Sequence, residues 1–160
     1  MTENVNENFL SYEWWKTATV DDVKAEIKKG ADVNAKDVFD VTALMVAASG
    51  NKNPEIIRTL VELGADVNAK GGGMNVLMYA AWDNENPEII RTLVELGADV
   101  NAKDYDGWTA LMYAARDNEN PEIIRALVEL GAEDIGCSSL ALAEYNNNPE
   151  VLKILDKLTF

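Results

Sequence analysis

The chain has 160 residues and a mass of 17.6 kDa, enough for one domain or one elongated array of repeats but not for two enzyme domains. It contains no histidine and one cysteine, which excludes a disulfide within the chain, a Cys/His zinc site and a histidine-dependent catalytic triad or dyad. Fourteen Lys and Arg residues against 28 Asp and Glu residues give a net charge of −14, so nucleic acid and anionic membrane surfaces are poor partners.

The N-terminal segment has no targeting signal that we can identify. Residues 1–10 carry neither the basic nor the apolar segment of a secretory signal, and no window approaches the roughly 18 to 20 apolar residues of a membrane span. We therefore expect a cytoplasmic protein, with an exported protein as the alternative because a single cysteine is compatible with either redox compartment. Residues 2–8 are predicted to form a loose tail, and the aromatic residues after it, among them Phe9, Trp14 and Trp15, are predicted to form a first helix that covers the core.

From there onward the chain repeats itself. The segment NPEIIRTLVELGADVNAK occurs at 53–70 and again, unchanged, at 86–103, and a close copy begins at residue 120. A second block precedes each copy and reads TALMVAA, NVLMYAA and TALMYAA. A period of 33 or 34 residues with two elements in each period is typical of a solenoid of stacked repeats.

Both elements of the repeat carry the end signals of α-helices. The second element begins with Asn-Pro, which places an N-cap side chain before a proline at the first helical position, and it ends at a glycine. The first element begins with an N-cap former and carries two adjacent alanines, which allow close helix approach. The predicted N-caps are Asn53, Asn86, Asn120 and Asn148 for the second element, and Thr42, Asn75, Thr109 and Ser138 for the first.

Helix, loop, helix and turn in about 33 residues, with GADVNAKDYDGWTALMYAA at 97–115, resembles the ankyrin repeat, and the resemblance covers about residues 19–158. The family's Thr-Pro-Leu-His reads Thr-Ala-Leu-Met here. Met45, Met78 and Met112 occupy the histidine position, and we expect them in the core. The resemblance implies an all-α solenoid of about five helix pairs, with protruding finger loops and polar N- and C-terminal caps.

The repeat boundaries divide the chain into five units. They are an N-terminal tail and capping helix pair at 1–36, ankyrin repeats at 37–70, 71–103 and 104–133, and a C-terminal capping repeat at 134–160. Asp22 and Glu26 in the first unit, and Glu144 and Asp156 in the last, replace residues that are apolar in the internal repeats. Polar substitutions at the two ends are what capping of a linear array requires.

The remaining conspicuous residues have structural explanations. Arg58 is expected to pair with Glu55 and Glu62 on an exposed helix face, and the later repeats copy this pattern. The Asp-x-Asp-Gly motif at 104–107 lacks the later ligands of a calcium-binding loop. The three glycines at 71–73 lack the Lys-Ser/Thr that follows in a phosphate-binding loop, so these glycines are interpreted as a distorted turn. Cys137 is interpreted as a small residue at the start of a helix. We therefore predict that the chain has no catalytic residue and no cofactor or metal site, and that it is not an enzyme.

Positions that differ between near-identical repeats are where binding specificity can be encoded. They lie in the fingers and at the ends of the first helices. The candidate partner-binding residues are Phe39, Val41, Met74, Trp82, Asp83, Tyr105, Asp106, Trp108, Arg116 and Asp117. Aromatic side chains mixed with Arg and Asp are the composition of interface hot spots. Phe39 and Trp82 are the strongest candidates, whereas Trp108, Tyr79 and Tyr113 are either structural or contact residues.

The ankyrin resemblance implies a protein partner, bound by the fingers and by the concave face of the inner helices. The net charge favours a basic protein, which the chain would inhibit or mask in the manner of an immunity protein. Two alternatives stay open: a consensus-like or engineered scaffold without a native partner, suggested by the verbatim repeat, and a homo-oligomer that buries the aromatic residues against a second copy. A monomer is the expected state.

Overall fold

A computed structural model describes residues 6–133, 138–146 and 148–157. These residues form ten α-helices in five consecutive pairs. The first helices of the pairs, called the inner helices, are α1 (Tyr12–Trp15), α3 (Ala43–Gly50), α5 (Val76–Asp83), α7 (Ala110–Asp117) and α9 (Ser138–Asn146). The second, or outer, helices are α2 (Val20–Lys28), α4 (Pro54–Glu62), α6 (Pro87–Glu95), α8 (Pro121–Glu129) and α10 (Pro149–Asp156). Each helix packs on its equivalent in the next pair, which makes an all-α solenoid.

The helices begin after the capping residues that the sequence predicts, except that α9 includes the predicted N-cap Ser138 as its first residue. The Asn53 side chain accepts the backbone N–H of Glu55 at 3.1 Å, and the Thr42 hydroxyl accepts that of Met45 at 3.4 Å. Asn75, Asn86, Thr109, Asn120 and Asn148 cap their helices in the same way. Cys137 and the part of the predicted tail before Asn6 lie outside the described residues.

The N-terminal cap differs from the prediction of a loose tail. The Asn6 side-chain oxygen accepts the backbone N–H of Asp32 at 2.9 Å, so the loose tail is wrong from this residue onward. Phe9 lies in a turn before α1 rather than in the helix, yet it is fully buried, as is Trp15. The Trp15 indole N–H donates to the Phe9 carbonyl at 2.8 Å. The prediction that these aromatic side chains cover the core is therefore confirmed.

Asparagines at the ends of the inner helices, three of them buried, connect each helix pair to the one before it. The Asn84 amide group donates to the carbonyl oxygens of Ala48 and Asn51 at 2.7 and 2.8 Å, and its oxygen accepts the Asn86 N–H at 2.9 Å. Asn51, Asn118 and Asn146 also donate two bonds each to the preceding pair. These inter-repeat bonds are absent from the sequence-based expectations, although the repeated Asn-x-Asn-Pro spacing marks their positions.

Arginines on the outer helices form a second inter-repeat connection, which corrects a prediction. Arg58 pairs with Glu55 at 3.5 Å as expected, but its second partner is Glu95 of the next repeat, at 2.8 Å, and not Glu62. Arg91 pairs with Glu129 in the same way. Arg125 pairs with Glu150, which lies at the start of the next outer helix and not at its end. Residue spacing within one helix could not predict these pairs, because the glutamate that binds each arginine lies on the neighbouring outer helix.

The methionines at the family's histidine position are only partly as predicted. Met45 and Met78 are fully buried, and their sulfur atoms accept the backbone N–H of the N-cap residues Thr42 and Asn75 at 3.4 Å. A thioether is a weak acceptor, so this bond supplements the packing of the side chain. Met112 is half-buried, so the core prediction holds for two of the three methionines.

Three fingers, residues 36–42, 70–75 and 103–109, join the helix pairs. Finger 2 is a two-stranded antiparallel hairpin, β1 (Lys70–Gly71) with β2 (Met74–Asn75). Gly72 and Gly73 have φ of +59° and +87°, the two consecutive positive values of a type I′ turn. The prediction of a distorted turn is therefore wrong: the glycines build a regular tight hairpin.

Gly71→Ala is expected to lower the free energy of unfolding by about 2 to 3 kcal/mol, the cost of overpacking. A Cβ atom at Gly71 would lie 2.1 Å from the carbonyl oxygen of Asp40, and both obstacles nearest to it are backbone atoms of finger 1. The two fingers would have to separate, and the 2.7 Å bond from the Gly72 N–H to the Phe39 carbonyl would be lost. Urea denaturation followed by far-UV circular dichroism measures this change.

Gly50→Ala is the matched control for that substitution. Its φ is also compatible with alanine, and the nearest atom to its Cβ, at 3.1 Å, belongs to the Tyr12 side chain, which can move. We expect a change within about 1 kcal/mol in either direction. Equal losses for the two variants would show that the contact between fingers 1 and 2 is not rigid.

Candidate functional site

Exposed large apolar side chains are concentrated on the fingers and inner helices. Among the described residues they are Val38 at 90% exposure, Phe39 at 70%, Tyr105 at 86%, Trp82 at 44%, Tyr12 at 38% and Leu63 at 39%. Leu63, at the end of the outer helix α4, is the one member of this set that lies elsewhere. The strongest candidates from the sequence, Phe39 and Trp82, are thus both accessible to a partner.

Fingers 1 and 3 are held by one aspartate each. The Asp37 carboxylate accepts the backbone N–H of Phe39 and of Val41 at 2.8 and 2.9 Å. Asp104 accepts those of Asp106 and Trp108 at 2.9 and 2.8 Å in the same pattern. Both carboxylates therefore fold a loop whose tip stands clear of the core and carries exposed side chains.

The structure brings the three finger tips together. The Gly72 N–H donates to the Phe39 carbonyl oxygen at 2.7 Å, which joins finger 2 to finger 1. A ring carbon of Tyr105 lies 3.8 Å from the position that a Cβ atom on Gly73 would occupy, which places finger 3 beside finger 2. The predicted site residues Val41 and Met74, by contrast, are half-buried and pack partly against the core.

Trp108 is held by contacts within the chain. Its ring centre lies 5.2 Å from that of Tyr113, and the guanidinium of Arg116 stacks over it at 4.5 Å. Arg116 also forms an ion pair with Asp117 at 2.6 Å. Burial, and the 2.7 Å hydrogen bond from its hydroxyl to Asp104, raise the pKa of Tyr113 above the usual tyrosine range. These contacts connect finger 3 to the end of α7.

Tyr79 occupies the place of Tyr113 in the preceding repeat. It is half-buried, and its hydroxyl donates to the Gly71 carbonyl oxygen at 3.3 Å, which connects α5 to finger 2. Burial raises its pKa. Both tyrosines therefore have a structural part, a point that the sequence alone left open.

Asp83 connects three inner helices. Its carboxylate accepts the Tyr12 hydroxyl at 2.6 Å and the Ser49 hydroxyl at 3.1 Å, which joins the ends of α5, α1 and α3. The hydrogen bond from the Tyr12 hydroxyl to Asp83, and to a lesser extent burial, raises the pKa of Tyr12 to about 12. Trp82, Asp83 and Asp117 line one shallow groove between the ends of α5 and α7. Three of the four predicted residues at the helix ends therefore line one groove, whereas Arg116 stacks on Trp108.

None of the described helices has the length and apolar character needed to span a bilayer. In the same part of the chain, no three Cys, Asp or Glu side chains are grouped so that they could hold a metal ion. The described site combines exposed aromatic side chains with carboxylates that are fixed by backbone hydrogen bonds.

Comparison with known protein families agrees with the fold. A family model described as ankyrin repeats (3 copies) matches residues 16–104, and one described as ankyrin repeats (many copies) matches residues 83–128. A search among curated proteins gave no match. The first family model covers more than half of the 160 residues, and the helix pairs and fingers repeat with the period of that family. The chain therefore belongs to the ankyrin-repeat family.

Proposed function

We propose that this chain is a non-catalytic module that binds a basic protein through its finger tips and inner-helix ends. Ankyrin repeats are generally protein–protein interaction modules, which supports the class of function. The finer assignment of surface and partner rests on the side chains of this particular chain.

The distribution of exposed apolar side chains carries the proposal. Five of the six large apolar residues with high exposure in the described part lie on the fingers or inner helices, and Phe39, Tyr105 and Trp82 are aromatic. Aromatic residues that are accessible before binding and buried after it dominate the energetics of many interfaces. The outer helices instead carry Arg–Glu pairs between repeats, which already have partners within the chain.

Charge supports a basic partner. The whole chain carries a net charge of −14, and Asp40, Asp106 and Glu119 add exposed carboxylates beside the exposed aromatic residues. Complementary charge accelerates association and disfavours other partners, and salt weakens this effect. A binder of this kind, seated on the functional surface of a basic protein, would act as the inhibitor of that protein.

The negative charge of the chain also opposes contact between two copies of this face, which supports a monomer.

Affinity capture from native lysate tests the proposal, with wild-type protein beside the triple variant Phe39→Ala, Trp82→Ala, Tyr105→Ala. Trp108 is left intact because it packs on Arg116 and Tyr113. A partner should be retained by the wild type, more weakly at higher salt, and its affinity for the triple variant should fall roughly 100-fold or more.

Leu63→Ala is the matched control, because it removes an exposed apolar side chain from the end of an outer helix and should leave binding unchanged. Identical captured proteins for wild type and triple variant would contradict the proposal. Light scattering detects the alternative: a wild-type dimer that the triple variant abolishes would identify a second copy as the partner.

A further inference from the structure

The tip of finger 2 has no side chains, and exposed aromatic residues flank it on both sides. Its two residues are Gly72 and Gly73, and the hydrogen bond to Phe39 and the close approach of Tyr105 fix the neighbouring fingers against it. We call Phe39, Gly72, Gly73 and Tyr105 the finger-tip surface. A partner side chain that reaches Gly73 would therefore lie beside the Tyr105 ring, and one that reaches Gly72 would lie beside the backbone of Phe39.

Each aromatic residue of this surface is followed by an exposed carboxylate. Asp40 follows Phe39 and Asp106 follows Tyr105. Lys36 is the nearest cation to Asp40, at 3.8 Å, but both side chains are at least half exposed, and such a pair contributes little. The finger-tip surface thus combines aromatic faces with carboxylates whose charge is largely available to a partner.

The chain itself shows which group satisfies this combination. At the base of finger 3, the Arg116 guanidinium stacks over the Trp108 ring at 4.5 Å while Asp117 pairs with it at 2.6 Å. An aromatic face and a carboxylate together hold an arginine in that cluster. The finger-tip surface presents the same two groups twice, with both rings open to solvent.

We propose that the finger-tip surface binds an arginine side chain of the partner protein, with the guanidinium against the ring of Phe39 or Tyr105 and paired with Asp40 or Asp106. Guanidinium is planar and weakly hydrated, so it stacks on aromatic rings more readily than the ammonium group of lysine does. The inference rests on the proposed function, because it names the chemistry by which the basic partner is recognised.

Nuclear magnetic resonance of the full ¹⁵N-labelled chain tests directly whether the finger-tip surface binds an arginine side chain. The probe is the capped tripeptide Gly-Arg-Gly, and the control probe replaces arginine with citrulline, which has nearly the same shape but no charge. We expect the arginine peptide to shift the amide signals of Gly72, Gly73 and Tyr105 in a saturable way. The citrulline peptide should leave them in place.

Two double variants separate the ring contribution from the charge contribution. Phe39→Leu with Tyr105→Leu keeps apolar area but removes the π faces, and it should weaken arginine binding about fivefold to tenfold. Asp40→Asn with Asp106→Asn should weaken it by a similar factor, and asparagine tolerates the positive φ of Asp40. Glu62→Gln with Glu144→Gln removes the same formal charge away from the fingers and should have no effect.

Equal shifts from both peptides, or arginine shifts that spread over the outer helices and survive in the leucine variant, would overturn the inference. So would a captured partner that requires Phe39 and Tyr105 but binds the double asparagine variant as tightly as the wild type. In that case the proposed function stands and only arginine recognition fails. Arginine binding at the finger tips without any protein partner that depends on them would instead support recognition and overturn the proposed function.

Discussion

Replacing Asn84 with alanine is expected to lower the free energy of unfolding by roughly 3 to 5 kcal/mol. The side chain is 2% exposed, and its removal leaves the carbonyl oxygens of Ala48 and Asn51 and the N–H of Asn86 without their partner. A buried polar group that loses its hydrogen bond costs about 1 to 3 kcal/mol. Urea denaturation monitored by far-UV circular dichroism should show this loss as a lower transition midpoint.

Asn86→Ala is the matched control, two residues further along the same loop. Asn86 caps α6 by accepting the Glu88 N–H at 3.0 Å and donates to the Lys52 carbonyl at 2.7 Å, but it is only half-buried. Water can replace these bonds, so we expect a loss of about 1 kcal/mol, as is usual for an N-cap. A loss for Asn86→Ala as large as for Asn84→Ala would show that burial does not set the cost.

The second large effect is expected at the N-terminal cap. Trp15→Ala should destabilise the protein by about 3 to 5 kcal/mol, because it removes a fully buried indole and leaves a cavity against Phe9. The Phe9 carbonyl also loses its 2.8 Å hydrogen bond from the indole N–H. The same denaturation experiment measures this change, and intrinsic fluorescence should lose the contribution of the buried tryptophan.

The neighbouring residue provides the control for Trp15. Trp14 is half-buried, and its ring centre lies 4.7 Å from that of Trp15, edge to face. Trp14→Ala should cost about 1 to 2 kcal/mol, since only part of its surface leaves water on folding. If Trp15→Ala cost no more than Trp14→Ala, the first helix pair would contribute little to the folding of the array.

The helices were predictable because their signals are local. A side chain such as Asn53 caps the helix that begins at the next residue, so its chemistry can be recognised without any knowledge of the fold. The same holds for the period of the repeat, which is a property of the letters alone. Five helix pairs and their order follow from these two observations.

The contacts between repeats were not predictable in the same way. Arg58 has Glu62 at the favourable spacing on its own helix, yet it pairs with Glu95, which is close only because α6 packs beside α4. The two carbonyl oxygens that Asn84 reaches are likewise a result of stacking. The residue type at such a position can be read from the sequence, whereas its partner depends on how the helices are placed.

In the candidate site, too, the exposure of side chains was predictable from the sequence, whereas their contacts were not. Comparison of sister repeats correctly indicated that Phe39 and Trp82 have no role in the core, because the fold accepts other residues at their positions. It did not indicate that Arg116 stacks on Trp108, because that contact depends on the placement of finger 3 beside the end of α7. Variation between repeats therefore detects exposure, but not which exposed side chains already have a partner.

The direction of the asparagine bonds bears on how such a chain can grow. In every connection through Asn51, Asn84, Asn118 and Asn146, the later unit supplies the amide and the earlier unit supplies the carbonyl oxygens. Backbone carbonyls are present whatever the sequence. A stretch of coding DNA duplicated in frame therefore brings its own donors and finds ready acceptors in any unit that precedes it. The verbatim copies at 53–70 and 86–103 are compatible with this kind of growth, in which the connection through these asparagines requires no compensating change in the preceding unit.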